Sequence, residues 1–222
     1  MTQLIVFDCD GTLVDSQYVI IDCMQAAFRA RGLPPPAPAA VKRIVGLSLP
    51  EAIGRLHENG DAAAIESLVA AYKECFAELR ASPELHEPLF ADVVETLTLL
   101  QETGYLLGVA TGKSRRGLLA VLETHGLAGH FVTLQTADDA PGKPHPGMLE
   151  RAMAETGAEK GETVLIGDTV FDMEMAVNAG AGAFGVSWGY HDAAELHAAG
   201  ADLVLDRLCE LPPLLARRWG MP

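Results

Sequence analysis

Two carboxylates one residue apart, Asp8 and Asp10, follow the apolar run Leu4-Ile5-Val6-Phe7 and lead into Gly11-Thr12. A short apolar run closed by a turn signal predicts a buried parallel strand. Both acids then lie at the strand's carboxyl end, where open α/β sheets form their ligand crevice. Two such charges ~4 Å apart repel by ~4 kcal/mol at an effective dielectric of about 20. A cation or a catalytic task offsets that cost; the competing reading is an ordinary polar turn.

Other polar residues share this placement. Thr111 follows the apolar segment 106–110, Asp168 follows 163–166 and Gly167, and Asp172 comes one helical turn later. Lys143 stands in Gly142-Lys143-Pro144, a loop opening a helix. If all lie at carboxyl ends of parallel strands, they converge across the length of the chain. Clustered carboxylates suit a hard divalent ion such as Mg²⁺. A hydroxyl, backbone N–H groups and an ammonium suit phosphoryl oxygens.

The elements that must position these groups are legible in the periodicity. Apolar residues at helical spacing run from about 16 to 31, stopped by Gly32 and by Pro34-Pro35-Pro36. Helical segments follow near 38–45, 49–58 and 61–81. From about residue 88 the pattern becomes strand–helix alternation: helix 90–103, strand 106–110, helix 114–124, strand 131–134, helix 146–156, strand 163–166, helix 171–179, strand 183–187, helix 192–198, strand 202–205 and a final helix. Such alternation predicts an α/β fold with a doubly wound parallel sheet, a Rossmann-like core. Residues 1–15 and 87–222 are expected to form that core. Residues 16–86 are expected to form an all-helical cap inserted after the first strand, on linkers near 14–17 and 83–90 marked by Pro83 and Pro88.

The chain has 222 residues, 49% of them hydrophobic, which is a globular composition. Its formal net charge of -14 argues against non-specific binding to nucleic acid or anionic membranes. Cys9, Cys23, Cys75 and Cys209 are scattered and read as reduced thiols. Asp8 and Asp10 interrupt the early apolar run, so no signal peptide is expected, and no stretch is long enough to span a bilayer. The expectation is a cytoplasmic protein.

Asp8-Cys9-Asp10-Gly11-Thr12, Ala110-Thr111-Gly112-Lys113-Ser114, Gly142-Lys143-Pro144-His145-Pro146 and Gly167-Asp168-Thr169-Val170-Phe171-Asp172 resemble the four ordered motifs of the haloacid-dehalogenase superfamily. The resemblance covers essentially the whole chain and is nearest to the phosphoglycolate-phosphatase-like branch. It implies a Mg²⁺-dependent phosphatase acting on a small phosphorylated metabolite, as a monomer or homodimer. Asp8 would be the nucleophile and form an aspartyl-phosphate, and Asp10 the general acid and base. The Asp8 carboxylate, the Asp10 carbonyl and Asp168 would hold Mg²⁺. Thr111 and the Gly112 amide would bind phosphoryl oxygens beside Gly11 and Thr12. Lys143 would stabilise the transition state, and Asp172 would orient Lys143 or a metal-bound water.

Several residues carry a second reading. Thr111 also suits a helix N-cap. Lys113, Arg115 and Arg116 form either an electropositive rim or a solvated face. In the cap, Lys42-Arg43-Ile44-Val45-Gly46 resembles the segment that faces the active site. Gly46 allows close approach to a ligand, and Arg43 or Lys42 is expected to meet a substrate carboxylate or to be a surface cation. The alternatives on the same core are a sugar-phosphate mutase, which Leu47-Ser48-Leu49 after Gly46 disfavours, and a phosphonatase, which lacks a convincing cap lysine. A dehalogenase is disfavoured by Asp10, and a non-catalytic binding protein by the intact set of polar groups.

Overall fold

Leu4 and Val6 of the first strand belong to one apolar cluster and Ile5 and Phe7 to another, and all four are fully buried. Alternate residues of a strand point to opposite faces, so a wholly apolar strand needs cover on both. The computed structural model describes residues 2–82 and 85–220. Its elements run β1 (Leu4–Phe7), α1 (Gln17–Ala30), α2 (Pro38–Lys42), α3 (Leu49–Leu56), α4 (Ala62–Arg80), α5 (Val93–Thr103), β2 (Leu106–Thr111), α6 (Arg115–Thr124), β3 (Thr133–Thr136), α7 (Gly147–Thr156), β4 (Thr163–Gly167), α8 (Val170–Ala179), β5 (Gly182–Val186), α9 (Ala193–Ala198), β6 (Leu203–Leu205) and α10 (Leu211–Trp219). Ile5 and Phe7 pack with Leu97 and Leu100 of α5 and Leu215 of α10. Leu4 and Val6 join Met148 of α7 and Met173 of α8.

The strands form one parallel sheet in the order β3-β2-β1-β4-β5-β6, the doubly wound α/β architecture. Strand order reverses at β1, so the crevice opens there. Phe7 pairs with both Val109 and Ile166, which brings Asp8, Thr111 and Asp168 to the same end of three adjacent strands. The expected strand at 131–134 lies instead at Thr133–Thr136. Val132 is apolar but exposed, so its hydrophobicity marked the approach to the strand and not its buried run.

Helices α1 to α4 pack around their own apolar cluster, including Cys23, Met24 and Phe28 of α1, Ile53 of α3, and Leu68 and Phe76 of α4. Asp61 caps α4 by accepting from the Ala64 N–H at 2.8 Å. All four cysteines are free thiols; Cys75 of α4 donates to Cys23 of α1. The two chain crossings between this helical segment and the sheet run side by side. The Asp15 N–H donates to the Pro88 carbonyl at 2.8 Å and the Phe90 N–H to the Leu13 carbonyl at 3.0 Å. Pro83, expected to mark the second crossing, lies outside the described residues.

The helical segment also seats on the sheet portion. Phe171 of α8 joins the helical cluster, with the Arg55 guanidinium 5.1 Å from its ring centroid. A Cβ on Gly112 would lie 2.5 Å from the Leu47 carbonyl oxygen and 2.6 Å from that of Gly46, so only glycine permits this approach. Gly112→Ala should therefore lift residues 44–48 off the sheet while leaving the strands intact. Hydrogen exchange should rise in 44–48 and stay unchanged in β1, β2 and β4; unchanged exchange in 44–48 would refute the contact.

Candidate active site

The turn after β1 is built to bring acids together. The Asp8 N–H continues the ladder to the Ile166 carbonyl at 2.9 Å, and Asp8 Oδ1 accepts from the Cys9 N–H at 2.7 Å. Gly11 has φ +89°, and a Cβ there would collide with Asp168 Oδ2 and the Tyr190 ring, so glycine is required on both counts. Asp168 is locked from two sides: Thr12 Oγ1 donates to Oδ1 and the Tyr190 N–H to Oδ2, each at 2.9 Å.

Lys143 reaches in from the loop between β3 and α7. Its Nζ lies 2.8 Å from Asp8 Oδ2 and 2.5 Å from Asp172 Oδ1, and all three side chains are essentially inaccessible to water. Asp172 is held by the first turn of α8, where its Oδ2 accepts from Thr169 Oγ1 at 2.6 Å and from the Thr169 N–H at 3.1 Å. It thus forms half of a capping box and half of an ion pair.

Asp8, Asp168 and Asp172 each offer an oxygen within 4.8 Å of the others. Burial pushes the Asp8 carboxyl up from 3.8 to about 7; the Lys143 charge pulls it back, and Asp172 raises it again. Burial likewise holds Asp168 well above the carboxylate range, aided by Asp172 and Asp8. Burial opposes the charge on Lys143, but Asp172 and Asp8 outweigh it and raise its pKa. One ammonium among three buried acids leaves the cluster short of positive charge.

Asp10 points elsewhere. Its Oδ1 accepts from Ser16 Oγ at 2.6 Å and pairs with Lys113 Nζ at 2.8 Å, and Lys113 also pairs with Glu87 at 3.2 Å. The expected basic rim is therefore divided. The Lys113 side chain is buried, which opposes its charge, but Asp10 and Glu87 outweigh that cost and raise its pKa. Arg115 pairs with Asp139 at 2.7 Å, and Arg116 is exposed. Thr111 is buried at the end of β2, where its Oγ1 accepts from the Lys113 N–H at 3.3 Å; the cap of α6 is Ser114 and not Thr111.

A cavity of about 630 Å³ lies between the sheet and the helical segment, lined at one end by Asp8, Asp10, Thr111 and Gly112 and roofed by Gly46. Thr12 and Gly11, expected near the substrate, face Asp168 instead. Arg43 does not reach the cavity: its Nη1 pairs with Glu195 of α9 at 2.6 Å on the outer surface. Glu195 stands 152 positions away in sequence, so spacing could not reveal the competing partner. Sequence reasoning also passed over Glu87, Ser16 and Tyr190. The only signals available were a Glu beside Pro88 and a Ser six residues after Asp10.

A family model for haloacid dehalogenase-like hydrolases matches residues 5–186. The chain belongs to that family. It is 36% identical over 217 residues to "Probable phosphatase IndB" of Dickeya dadantii, covering 95% of this chain and 92% of that one. It is 32% identical over 219 residues to a phosphoglycolate phosphatase of Vibrio parahaemolyticus, covering 96% of each. A hydrolase from Pseudomonas syringae superposes with a TM-score of 0.86 at 27% identity, over 98% of this chain and 99% of that one. Both of these curated relatives carry phosphatase names. No helix among the described residues is long and apolar enough to cross a membrane.

Two outcomes follow from the electrostatics. With Asp8 raised from 3.8 to about 7, its stabilising proton is fully present below 3.8 and lost as pH rises through about 7. Relative to Asp8→Asn, the wild type in chelator should lose up to about 4 kcal/mol between roughly pH 4 and pH 8. Parallel pH profiles of denaturant stability for the two proteins would refute the raised value. Lys113→Met leaves Asp10 and Glu87 buried without their cation and should cost about 3–5 kcal/mol in the same measurement.

Proposed function

We propose that this chain is a Mg²⁺-dependent phosphatase that hydrolyses a small phosphomonoester through an aspartyl-phosphate on Asp8. The observation that carries this reading is the meeting of Asp8, Lys143 and Asp172 beside Asp168, with Asp8 at the end of the cavity.

The donor set fits the ion. Hard carboxylate oxygens gather within 4.8 Å, and burial leaves Asp8 and Asp168 wanting a positive charge. Asp8, Asp168 and the main-chain carbonyl of Asp10 would hold Mg²⁺. When bound, the ion neutralises phosphoryl charge and orients the group.

The chain's own residues do the rest. The Asp8 carboxylate attacks phosphorus and the ester P–O bond breaks, while Asp10 gives its proton to the departing alkoxide. Asp10 then takes a proton from water, whose oxygen attacks phosphorus, freeing phosphate and restoring Asp8. Lys143 keeps Asp8 paired as the anionic substrate approaches, and Asp172 fixes Lys143. Ser16 and Lys113 fix the Asp10 side chain. The Thr111 hydroxyl and the Gly112 N–H would bind phosphoryl oxygens in a site screened from water.

The test is hydrolysis of p-nitrophenyl phosphate. Asp8→Asn should lower kcat by about 10³-fold or more, with circular dichroism unchanged. Chelation should abolish turnover and Mg²⁺ restore it. Acid-quenched mass spectrometry should find the phosphoryl adduct on Asp8. An adduct on another residue, or full activity in Asp8→Asn, would falsify the reading.

A further inference from the structure

The cavity is far larger than a two-carbon phosphate ester requires. At about 630 Å³ it lies within the ~300–1,000 Å³ of pockets that enclose drug-sized ligands. A phosphoryl group at Asp8 and Thr111 would leave most of this space to the leaving group. Apolar side chains make up much of the cavity wall: Ile20 and Met24 of α1, Val45, Leu49 at the start of α3, and Tyr72 and Phe76 of α4. Tyr72 and Phe76 are neighbours one helical turn apart, with ring centroids 5.7 Å apart and planes inclined by 39°. The Tyr72 hydroxyl has no hydrogen-bond partner among the described residues. Burial pushes its pKa up, and the charges of Lys113 and Asp10 reach it.

Four cations also line the cavity: Lys73, Arg80, Lys113 and Arg116. The buried one, Lys113, is already paired with Asp10 and Glu87. Lys73 and Arg116 are exposed at the edge, and the Arg80 guanidinium lies 5.5 Å from the Phe76 ring centroid. Arg43 is turned to Glu195.

From this arrangement we infer that the substrate is a phosphomonoester of a ring-bearing, largely apolar alcohol, and that Tyr72 and Phe76 select it. The ring lies against the Tyr72–Phe76 wall, with the Tyr72 hydroxyl free to bond a polar atom on its edge. Contact remote from phosphorus then supplies the binding energy that holds the ester in line with Asp8. This inference rests on the phosphatase reading.

The experiment compares 2-phenylethyl phosphate, ethyl phosphate and 2-phosphoglycolate under Mg²⁺. The first two are esters of primary alcohols of similar acidity, so their ratio reads the cavity and not the leaving group. The kcat/KM for 2-phenylethyl phosphate should exceed each of the other two by about tenfold or more, the worth of burying one ring. Tyr72→Ala strips the wall, and Ala77→Phe fills the space from an exposed position on α4 that also lines the cavity. At least one of them should lower the 2-phenylethyl to ethyl ratio by about fivefold or more. A wild-type ratio below tenfold against either small ester, or a ratio unmoved in both variants, overturns the inference. A protein that turns over none of the three fails the phosphatase reading instead. Calorimetric affinities for 2-phenylethylphosphonate and ethylphosphonate then decide the cavity's preference by the same tenfold criterion.

Discussion

Three carboxylates drawn out of water within 4.8 Å of one another repel strongly and lose their hydration, and among the described residues the one ammonium paired with them is that of Lys143. Much of the local structure follows from holding that arrangement. Asp8 leaves β1 at the level where Asp168 leaves β4, because Phe7 and Ile166 are in register. Gly11 gives up its side chain so that the Asp168 carboxylate can approach. Thr12 and the Tyr190 N–H satisfy both Asp168 oxygens, and Thr169 satisfies one of Asp172. The remaining deficit of positive charge is what makes the cluster fit a divalent ion.

The two acids of the first motif have been given different surroundings. Asp8 shares Lys143 with Asp172 in a fully buried setting. Asp10, two residues on, shares Lys113 with Glu87 and accepts from Ser16. Carboxylates in different environments can serve different roles at one pH. Separate ammonium partners keep Asp8 and Asp10 from competing for one cation. Glu87 comes from the second crossing into the sheet portion, so the environment of Asp10 depends on where the helical segment begins and ends.

That segment is also one wall of the cavity beside Asp8. It approaches the sheet closely at Gly112, where two backbone carbonyls from residues 46 and 47 come within 2.6 Å of the position a Cβ would take. Arg43 with Glu195 and Arg55 with Phe171 fasten its outer edge. An exposed ion pair such as Arg43–Glu195 adds little stability. Its consequence is placement: the Arg43 guanidinium is held against Glu195 on the outer surface and does not line the cavity.

The order of elements was legible because hydrophobic period is a local property. The buried run 4–7, the strand–helix alternation after residue 88 and the helical spacing between 16 and 81 led to the sheet and the helical segment with small errors at the ends. Asp8, Asp168, Asp172 and Lys143 could be expected to meet because parallel strands deliver their carboxyl ends to one edge. Partner choice was not legible. Whether Lys113 pairs with Asp10 and Glu87 or lies in solvent, and whether Arg43 faces a ligand or Glu195, depends on side-chain directions and on contacts across up to 152 positions of sequence. Pairing of charges is decided by distance and burial, which exist only after the chain has closed on itself.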